Sequence, residues 1–277
     1  MAREALIEGG RLCAAAAVAA MLVVALSVLG AASAPAAARD IGAGPCATPD
    51  TMLGSDLALP HVTARLRAGE PIKIVAIGSS STGGAGASSP AHAYPALLRE
   101  ELSQHFPNAV IEVVNKGVNG QKAPAMIARF ERDVFAEKPD LVIWQVGTNS
   151  IIQNDGVAGN EEQLHRGIAK LRAADVDIIL MDPQFAPKVT ADPDYPEMLR
   201  IISRVSQTEH VMRFPRFAAM KHWVSSGQTT LEAILSPDGL HMNDLSYGCL
   251  AGLLADQIDL AVRGTDRQLI AAPRPLQ

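Results

Sequence analysis

The chain has 277 residues, of which 48% are hydrophobic and 19% charged, and a formal net charge of −5. That is enough apolar material for one large domain or two small ones. An acidic balance with no basic cluster argues against nucleic acid as a partner. His61, His92, His105, His165 and His210 are scattered without metal-ligand spacing, and surface or capping roles account for them.

Arg3 and Arg11 precede an uncharged stretch, Leu12 to Ala38, whose apolar centre runs from Ala14 to Leu29. Small residues follow, ending in Ala36-Ala37-Ala38. This is the anatomy of a secretory signal peptide, with cleavage expected after Ala38. The alternative is an uncleaved anchor, since the run is almost long enough to span a bilayer, and membrane contact is expected only through that segment. No Leu-x-x-Cys lipobox precedes Cys46. With Cys13 inside the leader, Cys46 and Cys249 remain as a pair in an oxidising compartment, where a disulfide is expected. Such a bridge pins the N-terminal tail to the last helix, and loop entropy alone assigns it roughly 5 kcal/mol as an upper figure. Two buried free thiols are the alternative.

Residues 41–59 are rich in Gly, Ala and Pro and lack periodicity, so an extended tail is expected, leading to a short helix near Val62–Arg67. Ile72 to Ile77 is a buried strand, followed by Gly78-Ser79-Ser80-Ser81-Thr82 and a helix from Tyr94 to Phe106. Val110–Val114 is a second strand and Asn115-Lys116-Gly117-Val118-Asn119-Gly120 its loop. Ala123–Phe135 reads as one helix. Leu141–Val146 is the third strand, closed by Gly147-Thr148-Asn149-Ser150. A loop, a helix over Glu161–Ala173, and a fourth strand at Val176–Met181 come next, with Met181 and Met198 read as core. Glu197–Gln207 is helical, Val211–Phe214 a short fifth strand, and Phe217–Trp223 and Thr230–Leu235 short helices. His222 and Trp223 read as packing residues rather than a substrate wall. Asp238-Gly239-Leu240-His241 lies in a loop before a long helix, Leu245–Val262, and a frayed tail is expected after Gly264.

Strands alternate with helices at about 30-residue spacing and are continuous apolar runs, which predicts a parallel sheet covered on both faces. The expected organisation is a leader over 1–38, a tail and short helix over 39–70, one α/β domain over 71–264 and a C-terminal tail over 265–277.

The loop after the first strand is a poor phosphate cradle. Gly78 and Gly83 have P-loop spacing, but Gly84 stands where the lysine belongs, and the three glycines of a dinucleotide loop are missing. The Gly-x-Ser-x-Gly elbow of α/β-hydrolases is absent too, because Thr82 occupies its last position. In a parallel sheet the loops that follow strands gather at one edge. A serine hydroxyl, a glycine amide, the Asn149 side chain and the Asp238–His241 pair can therefore meet there. A serine is a poor nucleophile until a base takes its proton, histidine titrates near neutral pH, and a histidine so used needs an orienting carboxylate. An anionic tetrahedral intermediate needs fixed donors, for which the Ser80 N–H, the Gly117 N–H and the Asn149 amide are candidates. Asp182-Pro183-Gln184 ends the fourth strand at the same edge, which makes Gln184 a candidate for the substrate pocket.

This ordered set of blocks resembles the SGNH hydrolases, the GDSL esterases and lipases. Gly78-Ser79-Ser80, Gly117, Gly147-Thr148-Asn149-Ser150 and Asp238-Gly239-Leu240-His241 match the family's four blocks in order, over roughly Ile72–Leu254. Ser79 and Ser150 stand where typical members carry aspartates. The resemblance implies a three-layer α/β/α sandwich with a central parallel sheet of about five strands, flavodoxin-like. It implies Ser80 as nucleophile, His241 as base, Asp238 as its orienter, and Ser80, Gly117 and Asn149 as oxyanion donors. The activity implied is hydrolysis of an acyl ester through an acyl-enzyme, with no metal or organic cofactor. For an exported enzyme the expected substrate is a small-molecule or glycan ester with a short acyl group. An acyltransferase with the same triad and a non-catalytic glycan-binding module are the alternatives.

Overall fold

Apolar, β-branched strands alternating with amphipathic helices have one economical arrangement, a parallel sheet with helices over both faces. The computed structural model describes residues 40–41, 44–53, 58–153 and 156–271 and has that architecture. The leader expected over 1–38 lies outside the described residues.

The chain enters through a small antiparallel pair, β1 (Asp40–Ile41) and β2 (Thr48–Pro49), then helices α1 (Asp50–Leu53) and α2 (Pro60–Ala68). Strand β3 (Ile72–Gly78) runs into a single helical turn, α3 (Ser80–Gly83), and then α4 (Tyr94–His105). Next come β4 (Ile111–Gly117), α5 (Ala123–Ala128), α6 (Phe130–Asp133) and β5 (Leu141–Gln145). Helices α7 (Thr148–Ile152) and α8 (Asn160–Ala173) lead to β6 (Asp177–Met181). After α9 (Pro187–Thr190) and α10 (Tyr195–Thr208) comes the last strand, β7 (Met212–Phe214). Helices α11 (Arg216–Ser225), α12 (Leu231–Ile234) and α13 (Asp244–Ala271) complete the chain.

The sheet order is β4-β3-β5-β6-β7, with every neighbouring pair parallel. The chain steps outward from β3 to β4, then crosses back over β3 to β5. The strand order therefore reverses beside β3, and in open α/β sheets the crevice at such a point is where ligands bind. Helix α13 packs on α4, α5 on α8 and α8 on α10. Trp144 is wholly buried on β5 against α8, where a Cβ at Gly167 would lie 2.1 Å from its ring. The apolar stretch of α13, long enough to cross a bilayer, is mostly buried here, with Leu250, Leu253 and Leu254 in the core.

Four local expectations are corrected. The segment before α2 is a strand pair and a helical turn, because Trp223 donates from Nε1 to Thr48 Oγ1 at 2.8 Å and organises it from outside. The helix expected over Ala123–Phe135 breaks at Arg129 (φ −109°, ψ 9°), whose guanidinium reaches the carbonyls of Gly78 and Lys116. The loop after β5 becomes helix α7 at once. The last helix continues past Gly264 to Ala271. Cys46 and Cys249 are joined by a disulfide, their Cα atoms 5.5 Å apart, tying the entering segment to α13.

Candidate active site

The nucleophile turn is built by close packing. Ser79 heads α3, its carbonyl accepting from Thr82 N at 3.1 Å and Gly83 N at 2.9 Å. Gly84, at φ +96°, ends the turn and returns its N–H to the Ser80 carbonyl, the left-handed closure that glycine accommodates best. Gly78 and Gly117 lie opposite one another at the ends of β3 and β4. A Cβ at Gly78 would stand 2.1 Å from Thr82 Oγ1, and one at Gly117 would stand 2.0 Å from the Gly83 nitrogen. Both glycines let α3 sit down on the sheet edge, which presents Ser80 partly exposed above β3.

The other half of the site is a turn made by its own sequence. In Ser236-Pro237-Asp238-Gly239, proline presets the second position, and the Gly239 N–H closes onto the Ser236 carbonyl at 3.0 Å. Asp238 Oδ1 then accepts from the N–H groups of Leu240 and His241, both at 2.9 Å, and from Ser236 Oγ at 2.8 Å. Its other oxygen meets His241 Nδ1 at 2.5 Å. Partial burial pushes the Asp238 carboxyl up, but the hydrogen bonds from His241, Leu240 and Ser236 outweigh it and hold the group well below the ordinary carboxylate range. It stays ionised until the pH falls through that depressed value.

The two halves meet across the sheet edge. His241 Nε2 lies 2.9 Å from Ser80 Oγ, so hydroxyl, imidazole and carboxylate form one hydrogen-bonded line. Of the three adjacent serines only Ser80 faces the imidazole. Ser79 Oγ donates to Gln145 Oε1 at 2.9 Å, and Ser81 Oγ accepts from Arg216 Nη1 at 3.0 Å. Asn149, almost fully buried at the start of α7, donates from Nδ2 to the Gln121 carbonyl at 2.9 Å. That bond crosses to another loop, so the side chain does not cap its own turn, and among the described residues its second amide proton has no partner.

Two expectations change. The single proton of the Gly117 N–H is donated to Asn115 Oδ1 at 2.9 Å, so this expected oxyanion donor is already in use, and close approach to Gly83 explains the glycine. Gln184 does not line a pocket. It is 1% exposed and engaged at both ends, its oxygen accepting from Thr148 and Arg216 and its nitrogen donating to the Leu240 carbonyl. Ser150 donates to Asn160 Oδ1 at 2.8 Å.

Sequence reasoning gave no role to three buried polar side chains around the site. Gln145 ends β5, Arg129 bonds the carbonyls at the ends of β3 and β4, and Arg216 is completely buried at the start of α11. The available signal was context. Gln145 interrupts an apolar strand, and Arg216 is flanked by Phe214-Pro215 and Phe217-Ala218.

The α/β/α fold and this line of side chains have the arrangement of the SGNH class. Residues 45–264 match the Non-GDSL lipase-like family, and the chain belongs to that family. A curated relative, an acetylxylan esterase of Geobacillus stearothermophilus, is 40% identical over 58 residues, 21% of this chain and 26% of the relative. A two-domain esterase active on acetylated mannans superposes with a TM-score of 0.64 at 22% identity, over 79% of this chain and 57% of that one. The chain thus spans about a quarter of the first relative and just over half of the second. A G-D-S-L family lipolytic protein from Desulfitobacterium hafniense gives 0.55 at 23% identity, over 67% of this chain and 98% of that one. At these identities the structural likenesses speak for the shared fold.

Proposed function

We propose that the protein is an exported serine esterase that removes short acyl groups, acetyl foremost, from glycan or small-molecule esters. The observation that carries the reading is the line Ser80 Oγ–His241 Nε2–His241 Nδ1–Asp238, at 2.9 and 2.5 Å, on the carboxyl edge of the sheet. Family membership and relatives named for acetylxylan and acetylated mannans support an acetylated polysaccharide as substrate. The leader-like segment and the Cys46–Cys249 disulfide support export.

In this reading His241 Nε2 takes the proton as Ser80 Oγ attacks the ester carbonyl. The imidazolium forms against Asp238, which stays anionic. The charge on the tetrahedral oxygen falls to the Ser80 N–H, in the first turn of α3, and to the free proton of Asn149 Nδ2. His241 returns its proton to the leaving alcohol, leaving an acyl-enzyme. Water then attacks that ester with His241 again as base, releasing the acid and free Ser80. The bonds formed and broken are those of two acyl transfers, and the chain's own side chains carry every proton.

The test is labelling by a fluorophosphonate probe, together with turnover on acetylated xylo- and manno-oligosaccharides and on esters of rising acyl length. Labelling of the wild type but not of Ser80→Ala, with acetate released into solution, is the expected result. Acyl transfer to added sugar in place of free acetate would make the protein a transferase. Absence of labelling and of turnover would leave a binding module.

A further inference from the structure

Behind the proposed triad lies a continuous buried polar circuit in which Gln145, Gln184 and Arg216 bond the chain neighbours of the reactive residues, not the reactive residues themselves. Ser79, which precedes Ser80, gives both its N–H and its hydroxyl to Gln145 Oε1, each at 2.9 Å. Gln145 Nε2 donates to Thr148 Oγ1 at 3.3 Å, and Thr148 precedes Asn149. Thr148 donates to Gln184 Oε1 at 3.1 Å, and Gln184 Nε2 donates to the carbonyl of Leu240, which precedes His241, at 3.3 Å. Arg216 closes the circuit, giving Nη2 to Gln184 Oε1 and Nη1 to Ser81 Oγ, both at 3.0 Å, with Nε on the Asp182 carbonyl at 2.9 Å.

Arg216 is the costly member. It is 0% exposed, and it opens a helix, where the backbone dipole disfavours a cation. Every acceptor it bonds is neutral, because the nearby Asp182 carboxylate is bonded by both Nε and Nη2 of Arg213. Burial lowers its pKa to about 10, and it remains charged at neutral pH. A planar fork with fixed donor directions reaches three acceptors on two segments, Ser81 in the nucleophile turn and Asp182 and Gln184 after β6, which an ammonium cannot do. A cation is not needed there to cap one carbonyl. Holding the nucleophile turn against the segment after β6, and through Gln184 against the base turn, accounts for all three bonds.

We infer that Arg216 and Gln184 are positioning residues for the reaction. They set the nucleophile turn and the base turn at the separation where Ser80 Oγ meets His241 Nε2, and through Thr148 they place the helix bearing Asn149. The inference rests on the serine-esterase reading above.

Ser81 and Gln184 have no bond to each other but share Arg216 as a partner, so a double-mutant cycle tests the bridge. The variants are Ser81→Ala, Gln184→Met and their combination, assayed for kcat, KM and fluorophosphonate labelling rate well below each melting temperature. Since a displacement of about 1 Å can cost 100-fold, Gln184→Met is expected to lower kcat roughly 30-fold and Ser81→Ala roughly 5-fold, each with KM within about 2-fold. The double variant is expected near the Gln184→Met value, not near the product of the two losses, and every variant still labels to full stoichiometry, only more slowly. Losses that multiply, or lowered melting temperatures with wild-type kcat, would overturn the inference. Should Gln184→Met fail to fold, Arg216→Lys replaces it in the cycle, read by the same criteria. An unlabelled, inactive wild type would sink the esterase reading instead. An active wild type whose Ser80→Ala is dead and whose cycle is multiplicative sinks this inference alone.

Discussion

The two ends of the central sheet bury polar groups for different purposes. At the carboxyl edge the buried groups are mostly neutral amides and hydroxyls, together with Arg129, Arg216 and the Arg213-paired Asp182 carboxylate, and they link loops. At the amino edge the bonded groups are carboxylates, Asp177 and the half-buried Asp140. Asp177 Oδ2, at the start of β6, accepts the Val62 N–H in the first turn of α2 at 3.0 Å. Asp140 accepts from the Lys73 N–H at 2.8 Å and from Arg65 Nε at 2.8 Å. The amino edge thus anchors one helix to the sheet, and no serine–histidine pair is bonded there among the described residues. The carboxyl edge fixes three loops relative to one another. Side chains that anchor a helix bear on stability, whereas side chains that set the distance between reactive loops bear on rate, and a charge is tolerated differently in the two settings.

The comparison breaks most sharply at the serine and its base. Ser80→Ala and His241→Ala are each expected to lower kcat on the order of 10⁴- to 10⁶-fold with little change in melting temperature, and Asp238→Asn somewhat less. Steady-state kinetics and calorimetry on one preparation check this. Wild-type turnover in Ser80→Ala would remove the carboxyl edge from the chemistry. Next comes Asn149→Ala. An amide that donates mainly to the transition-state oxyanion affects rate more than binding, so kcat should fall roughly 100- to 1,000-fold with KM nearly constant, provided acylation limits turnover. A variant that melts earlier but turns over normally would make Asn149 a structural residue that serves the Gln121 loop.

Away from the site the same measurements should reverse. Cys249→Ser releases the entering segment from α13 and should cost about 2–4 kcal/mol of unfolding free energy, read by denaturant titration, while kcat/KM below the transition is unchanged. The smallest and most diagnostic effect belongs to the amino edge. Burial raises the Asp177 carboxyl from 3.8 to about 6, against the opposing hydrogen bonds from Val62 and His61. The folded state therefore keeps a proton that the unfolded chain has released. Stability falls as pH rises from 3.8 to about 6 and is level above that window. Asp177→Asn should flatten this slope, gaining on the order of 1–3 kcal/mol at pH 7 relative to pH 4, with kcat/KM untouched. Melting curves at the two pH values decide it, and an altered kcat would show that the two edges are coupled.

The sequence by itself determined the alternation of strands and helices, the parallel sheet and the disulfide partners. The strands and sheet rest on local apolar runs and strand–helix spacing, which are short-range properties of a chain, and the disulfide partners on a cysteine count. It also placed a serine and an asparagine at one edge, because every loop after a parallel strand must arrive there, while the Asp–His pair, which precedes the last helix, was joined to them through the family resemblance. The turn that makes Asp238 and His241 a unit is written in Ser236-Pro237-Asp238-Gly239.

Only the tertiary structure decided how the donors are spent. The Gly117 N–H is used by Asn115, two residues away, a choice that depends on the side chain's rotamer. Gln184 follows a strand at the reactive edge, as a pocket residue would, yet the packing of Arg216 and Leu240 turns it inward. Gln145 is one polar residue at the end of an apolar strand until α3 descends onto it. Hydrogen bonds between side chains separated by 31 or more positions along the chain, such as Asp182 with Arg213 or Arg216 with Ser81, leave no periodicity to read. Burial makes those bonds obligatory, because an unpaired polar group in the interior is expensive, but which partner satisfies it is settled only when the loops have come together.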